Sequence, residues 1–450
     1  MGMRVKDMTQ GKPLGLIITF ALPLMLGNVF QQLYTVMDTM VVGKALGVNA
    51  LAALGATDWL YWMILGVVQG ITQGFGILMS REFGAQQFGR LKKVTANAVT
   101  LSILCAGLLL VICQSIALPA LELLNTPAEI MDDSLSYLRI MFIGMPIVMG
   151  YNLLAGILRA FGDGKTPLNA MIVASLTNIV LDILFVLVFN WGIAGAAVAT
   201  LIAQLLSGVF CLRQILKIDF LKLRKIHFRL DVQLGGRLLG LGFPMAAQNI
   251  MIAIGGMIIQ RVVNGYGVAF IGGFTASNKL YGVLEIAASS FGYAMITYVG
   301  QNLGAQKFGR IRYGVKCATA VSVATSLLIA TVMILFGKNI ISLFISGTPQ
   351  EVTEAIAVGY TYLTIMCICL PVLYILHVIR SSIQGLGNTV LPMISGIVEF
   401  IMRTGGILLF PVLMGQNGIF IAEIMAWVGA DMILIPSYLL TVHKVSKKTP

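Results

Sequence analysis

Apolar stretches of 20 or more residues recur along the whole chain, with short polar segments between them. Each stretch is long enough to cross the hydrocarbon core of a bilayer as an α-helix. We place twelve such spans at about 14–42, 51–79, 94–118, 135–158, 168–189, 193–215, 236–264, 270–300, 314–336, 357–382, 392–413 and 418–441. The pattern therefore predicts an all-α membrane protein with twelve transmembrane helices.

A polar, basic segment at about 213–237 divides the spans into two halves that resemble each other. The run GAQQFGR at Gly84–Arg90 recurs as GAQKFGR at Gly304–Arg310. Prolines in mid-span also recur in matched pairs, which are Pro23 with Pro244 and Pro146 with Pro371. We therefore expect two parallel six-helix lobes, residues 1–222 and 223–450, with helices bent at the prolines and a binding cavity between the lobes. Gly66, Gly70 and Gly74 predict close helix packing on one face of the second span.

Composition narrows the class of protein. Hydrophobic residues make up 58% of the chain and charged residues 11%, which excludes a water-soluble enzyme and a disordered chain. The net charge of +12 comes from Lys and Arg concentrated in alternate polar segments, and Arg380 at the end of the tenth span counts among them. This bias predicts a multi-pass protein of the cell inner membrane with both termini cytoplasmic. No cofactor-binding, nucleic-acid-binding or catalytic pattern is visible, so we expect no cofactor and no enzyme activity.

Ionisable side chains inside spans are costly and indicate function. Asp38 in the first span and Asp182 in the fifth have no basic residue within a turn or two. Asn178 lies one turn before Asp182, and Thr200 in the sixth span lies at a similar depth, about 12–14 Å from the outer surface at 1.5 Å per residue. Two carboxylates, an amide and a hydroxyl suit a small cation such as Na⁺, or a proton. A hydrogen-bonded polar core without turnover is the structural alternative.

The second half does not repeat this set of residues. The positions equivalent to Asp38, Asn178 and Asp182 hold Ile259, Arg403 and Ile407, so we expect one cation site. Glu399 and Arg403, four residues apart, are expected to pair on their own helix. Glu285 in the eighth span has no obvious partner and faces either the cavity or a neighbouring helix. The side chains proposed for the substrate cavity are Glu285, Gln32, Tyr34, Met63, Asn152 and Asn249.

Several of these segments resemble the multidrug and toxic compound extrusion (MATE) transporters. The resemblance rests on Leu26–Gly47, Arg81–Arg90, Arg159–Pro167 and Thr177–Asp182 and extends over nearly the whole chain. It implies a monomeric efflux antiporter for small lipophilic compounds, surrounded by membrane lipids. It also implies that Asp38, Asn178, Asp182 and Thr200 couple transport to Na⁺ or H⁺. NorM-like members carry an acid in the seventh span, where this chain has Asn249, so it looks closer to the DinF-like branch.

Three other interpretations remain open at the level of sequence. A major-facilitator transporter also has twelve helices, but REFGAQQFGR at Arg81–Arg90 only loosely imitates its loop signature. A flippase or exporter of lipid-linked molecules or metabolites, from the same superfamily, is a second alternative. A membrane enzyme is a third, and it would need a catalytic constellation that the sequence does not display.

Overall fold

The computed structural model of the protein describes residues 5–345 and 348–447. Every regular element in these two ranges is helical. Its thirteen α-helices are α1 Pro13–Leu46, α2 Val48–Gly84, α3 Phe88–Leu123, α4 Ala128–Ile143, α5 Met145–Ala160, α6 Lys165–Asp182, α7 Gly192–Ile215, α8 Val232–Val263, α9 Val268–Gly304, α10 Phe308–Ser342, α11 Pro349–Gly385, α12 Val390–Met414 and α13 Gly418–Lys447.

These helices correspond to the twelve predicted spans. In the described ranges, ten stretches are long and apolar enough to cross a membrane, and the pair α4–α5 adds an eleventh if it forms one span bent by 49°. One of the ten stretches, 390–442, contains both α12 and α13, separated by the short turn Gly415–Asn417. The predicted all-α fold with twelve spans is therefore confirmed.

The mid-span prolines differ in their effect on the helices. Pro146 lies in the first turn of α5, just after the break at Gly144 that separates α4 from α5. Pro23, Pro244 and Pro371 lie inside helices that continue on both sides of them. A proline in a helix removes one backbone hydrogen bond and leaves a weak point without ending the helix.

Contacts between Cα atoms divide the chain into two compact units. Unit 1 holds Leu22–Ala246 and the N-terminal segment up to Thr9, and unit 2 holds Gln10–Ala21 and the chain from Ala247 onward. Both divisions inside a helix, in α1 and in α8, fall within three residues of Pro23 and Pro244. The predicted lobe boundary between 222 and 223 stays a prediction about where the duplicated halves meet.

Unit 1 contains the closest helix contact that the glycine pattern predicted. A Cβ atom added at Gly74 of α2 would lie 2.4 Å from the Cα atom of Gly242 in α8. A Cβ atom added at Gly70 would lie 2.4 Å from the backbone nitrogen of Ala246. Only glycine at these two positions of α2 allows the two backbones to approach so closely.

Unit 2 is held together in part by a series of stacked aromatic rings. Phe274 of α9 stacks on Tyr362 of α11 at a centroid distance of 4.9 Å, and Tyr362 stacks on Phe420 of α13 at 4.8 Å. Phe270 of α9 stacks on the same Phe420 at 5.7 Å. These rings connect three helices and help to fix the elements that carry the charged side chains of unit 2.

Candidate functional site

The four residues predicted to bind a cation are all buried in unit 1. Asp38 lies on α1, Asn178 and Asp182 on the last turn of α6, and Thr200 on α7. The Asn178 Nδ2 atom lies 3.5 Å from Asp182 Oδ1 and 3.3 Å from Thr200 Oγ1. Asp38 is close enough to Asp182 for their charges to interact. Asp182 is completely buried, and Asp38 is 8% exposed.

Three oxygen atoms of this group have no hydrogen-bond partner among the described residues. They are Asp38 Oδ1, Asn178 Oδ1 and Asp182 Oδ2. The ion pairs of the described ranges include neither Asp38 nor Asp182. A buried carboxylate without a positive partner is costly, so these two acids need a bound proton or cation. Carboxylate, amide and hydroxyl oxygens together are also the ligands that a hard cation prefers.

The backbone just after Asp182 departs from α-helical geometry. Residues Ile183–Val188 form a π-helical turn that follows α6 directly. Trp191 N then donates to the carbonyl of Phe185 at 2.9 Å, and the Trp191 and Phe185 rings stack at 4.7 Å. π-helical turns occur mostly at functional sites. The apolar sequence ILFVLV at this place gave no signal for the turn.

Other predicted cavity residues are distributed over both units. Tyr34 of α1 lies within electrostatic range of both Asp38 and Asp182. Gln32 is exposed, Met63 packs partly buried against the core of unit 1, and Asn152 donates to the Val148 carbonyl at 2.8 Å. Asn249 and Glu285 belong to unit 2. That these residues line one substrate cavity stays a prediction.

The expected pair of Glu399 with Arg403 on α12 is wrong. Arg403 Nη2 donates to Glu423 Oε1 of α13 at 2.6 Å, and Glu399 is bound by Arg380 of α11. Arg380 is therefore not a residue of a polar loop, because α11 continues to Gly385 and buries the guanidinium. The spacing of four residues places Glu399 and Arg403 on one face, but neighbouring helices offer each of them another partner.

Glu285 has a partner that sequence reasoning missed. The Nε2 atom of His377 on α11 lies 3.5 Å from Glu285 Oε1. The other ring nitrogen of His377, Nδ1, lies 3.0 Å from the carbonyl oxygen of Leu373. A carbonyl oxygen only accepts, so Nδ1 carries a proton and the Nε2 side of the ring faces the carboxylate. A proton shared between Nε2 and the carboxylate is then needed for a hydrogen bond between them.

The equivalent regions of the two units differ in how their charge is balanced. Ile259 and Ile407, which stand in place of Asp38 and Asp182, are buried apolar side chains of unit 2. Arg403, which stands in place of Asn178, is 4% exposed and pairs with Glu423. Unit 2 thus supplies its own cation at this place, whereas unit 1 presents carboxylates without one. Within the described residues, no three His, Cys, Asp or Glu side chains form a metal-binding cluster.

Comparison with known proteins adds a family to this geometry. The sequence model of the family described as MatE matches twice, at residues 23–184 and 244–405. The second match begins and ends 221 residues after the first, which confirms the internal duplication predicted from the repeated motifs.

Characterised bacterial proteins are similar along most of their length. The chain is 30% identical to "Probable multidrug resistance protein YpnP" of Bacillus subtilis (strain 168), over 93% of both chains. It is 29% identical to "Probable multidrug resistance protein YoeA" of the same organism, over 74% of this chain and 73% of the relative. A more distant relative is "Multidrug export protein MepA" of a Staphylococcus saprophyticus strain, 20% identical over 89% of this chain and 86% of the relative.

Solved structures share the fold at low sequence identity. One, described as "Outward-facing conformation of a multidrug resistance MATE family transporter of the MOP superfamily", has a TM-score of 0.91 at 20% identity over all of both chains. Another is a MOP superfamily transporter from Pyrococcus furiosus, with a TM-score of 0.92 at 20% identity over 98% of both chains. Its description states that a reversed polarity of the binding pocket suggests a different function.

Proposed function

This chain belongs to the MATE family of membrane transporters, and we propose on that premise that it exports small lipophilic compounds, many of them cationic, in exchange for Na⁺ or H⁺. The names of the relatives YpnP and YoeA support a role in multidrug resistance. The coupling ion binds in unit 1, at Asp38, Asn178, Asp182 and Thr200.

A single observation carries the coupling site. Three buried oxygens, one each on Asp38, Asn178 and Asp182, have no partner among the described residues. Asn178 uses its Nδ2 atom on Asp182 and Thr200, which directs its remaining oxygen away from those two contacts. Buried polar atoms in folded proteins are nearly always satisfied, so an exposed need for a positive charge at this place indicates a transient ligand.

The arrangement also explains how binding acts on the helices. Asp38 is on α1, whereas Asp182 is on α6, so without a cation two like charges on different helices repel each other. A proton or Na⁺ removes this repulsion and favours a closer approach of α1 to α6. The ion changes the equilibrium between two conformations because it binds the closer arrangement better. Alternating access then requires that substrate binding favours the other arrangement.

Transport in proteoliposomes tests this proposal. Efflux of a lipophilic cation is measured with an imposed Na⁺ gradient and, separately, with an imposed pH gradient. We expect one of the two gradients to drive efflux, and Asp38→Asn or Asp182→Asn to abolish the driven component. Asp133→Asn is the matched control, because Asp133 is an exposed residue of α4. Driven efflux at the unchanged rate in either site variant would contradict the proposal.

The remaining features of the transporter follow from the same reading. We propose that it works as a monomer in the cell inner membrane, with both termini cytoplasmic, without a cofactor and without enzyme activity. Light scattering of the purified protein checks the monomer. Protease accessibility of tags at the two termini, in intact and in opened cells, checks the orientation.

A further inference from the structure

The segment between α7 and α8 carries exposed positive charge and exposed apolar side chains together. This linking segment, residues 216–231, reads LKIDFLKLRKIHFRLD and holds five Lys and Arg against two Asp. Large exposed apolar side chains occur in it and at the next residue, and they are Leu216, Ile226, Phe228, Leu230 and Val232. A group of apolar side chains this exposed is unusual on a surface that meets only water, and it marks an interaction site.

The linking segment is anchored firmly to unit 1, so its exposed face is built into the fold. The ring of Phe220 packs on Phe83, Phe88 and Phe161 at centroid distances of 5.6, 5.0 and 5.5 Å. Ile218 and Leu221 are buried.

A second anchor holds the end of the linking segment. The side chain of Asn97 on α3 accepts from Asp231 N at 2.9 Å and donates to the Arg229 carbonyl at 3.4 Å. Asp231 also caps α8, because its Oδ1 atom accepts from Leu234 N at 3.0 Å. Two short helical turns, Asp219–Leu221 and Lys225–Phe228, shape the chain between these anchors.

The position of the segment along the chain limits its surroundings. It joins the end of one apolar span, α7, to the start of another, α8. Its charged residues exclude it from the hydrocarbon core, and its exposed apolar side chains make a purely aqueous position unfavourable. The headgroup region of the bilayer satisfies both kinds of side chain, since aliphatic and aromatic groups reach the acyl chains while basic groups reach the phosphates.

The free charge of the segment is positive. Lys222 Nζ lies 2.8 Å from Asp219 Oδ1, and this hydrogen bond holds the pKa of the Asp219 carboxyl below its usual range. The pair therefore stays ionised, and its two charges offset each other. The other basic side chains, Lys217, Arg224, Lys225 and Arg229, are exposed. Their natural counter-ions at a membrane surface are the phosphates of anionic lipids.

We propose that the linking segment is a binding surface for anionic phospholipids, with Ile226, Phe228 and Leu230 among the upper acyl chains and Lys225 and Arg229 on the lipid phosphates. Charge complementarity selects this occupant. A second copy of the chain presents the same positive surface and would be repelled by it.

Depth in the membrane is tested with the full-length Phe228→Trp variant in vesicles of phosphatidylcholine and phosphatidylglycerol. The emission of the unchanged protein, which has four Trp, is subtracted. We expect the added emission to be quenched most by lipids brominated near the headgroup and to be shielded from aqueous iodide. Quenching by iodide with none by brominated lipid would overturn the proposal.

Charge recognition is tested by native mass spectrometry of the protein released from mixed-lipid nanodiscs. We expect Lys225→Gln with Arg229→Gln to lower the retained ratio of phosphatidylglycerol to phosphatidylcholine by several-fold, with about fivefold per charge as the limit. The control is Lys92→Gln with Lys93→Gln on α3, where the flanking Leu91 and Val94 are completely buried. An equal loss in both double variants would show a general effect of positive charge and would overturn the proposal, as would no loss in either. Chemical cross-linking between copies that Phe228→Ser abolishes would overturn it in favour of a second copy.

Discussion

The guanidinium of Arg403 on α12 lies 2.6 Å from the carboxylate of Glu423 on α13. Both side chains are buried, so each neutralises a charge that the other would leave uncompensated. We expect Glu423→Gln to lower the free energy of unfolding by about 3–5 kcal/mol, the range for breaking a buried pair by removing one partner. Denaturation of the purified protein in detergent measures the loss.

The double variant Arg403→Met with Glu423→Met is the informative control. It removes both charges and fills similar volume, so its stability should return close to that of the unchanged protein. A double variant as unstable as Glu423→Gln would show that packing around the two side chains, and not the unpaired charge, determines the effect.

The contact of α2 with α8 in unit 1 supplies a second prediction. A Cβ atom at position 74 would lie 2.4 Å from the Gly242 Cα atom, and backbone atoms cannot move aside as a flexible side chain can. Gly74→Ala should therefore cost about 1–3 kcal/mol by forcing the helices apart. Thermal unfolding in detergent measures it.

Gly55→Ala is the matched control for that substitution. Gly55 lies on the same helix, α2, but a Cβ atom there would meet nothing within 4 Å. Alanine favours a helix over glycine by about 1 kcal/mol, so this variant should be as stable as the unchanged protein or slightly more stable. If both variants behave alike, the close contact does not limit stability.

Much of the fold could be predicted because membrane spans follow from length and apolarity alone. The cation-site residues were also predictable, since a rise of 1.5 Å per residue places Asp182 and Thr200 at similar depth, and Asn178 bridges them. The partner of Arg403 was not predictable. Spacing identifies side chains on one helix face, but a long guanidinium selects its carboxylate from whichever helix packs against it.

Two further features escaped the sequence for related reasons. The break between α4 and α5 falls at Gly144, inside a continuous apolar stretch, so hydropathy alone merged the two helices. Arg380 looked like a loop residue, because a charge near the end of an apolar run usually marks the end of the span. In fact α11 continues to Gly385, and Glu399 provides the compensating charge.

Glu285 supplies a third prediction, which depends on the proposed export of cations. Its carboxylate is about one-third exposed and faces His377 Nε2 at 3.5 Å. Glu285→Gln removes the charge but keeps a donor for a neutral His377, so the contact survives. We expect KM to rise about tenfold for cationic substrates, as for the loss of a charged hydrogen bond, and to change little for neutral ones.

The companion variant His377→Gln separates recognition from structure. It keeps the carboxylate of Glu285 and removes only the imidazole, so the preference for cationic over neutral substrates should remain. Transport by both variants is compared in proteoliposomes with one cationic and one neutral compound. An equal loss for both compounds in Glu285→Gln would assign the pair a structural role.

The last prediction uses the difference between the two repeats. Arg403 of unit 2 has its Nη1 atom 2.8 Å from where a Cβ atom at Gly255 would lie, so the guanidinium depends on this glycine for space. An offset of 221 residues, the same as between the two family matches, places Tyr34 at the equivalent position of unit 1. Unit 1 thus has an aromatic ring and an amide where unit 2 has a glycine and a fixed positive charge.

Transferring the arrangement of unit 2 should replace the coupling ion by a residue. In the double variant Tyr34→Gly with Asn178→Arg, the guanidinium supplies the charge that Asp38 and Asp182 otherwise take from a bound cation. A ligand at 100 times its Kd stabilises a protein by about 2.7 kcal/mol, so the melting temperature of the unchanged protein should rise with the coupling ion. The double variant should melt at one temperature whatever the ion concentration and should show no gradient-driven efflux. Asp182→Asn should also lose the response to the ion. Stabilisation by the ion that persists in the double variant would place the coupling site elsewhere.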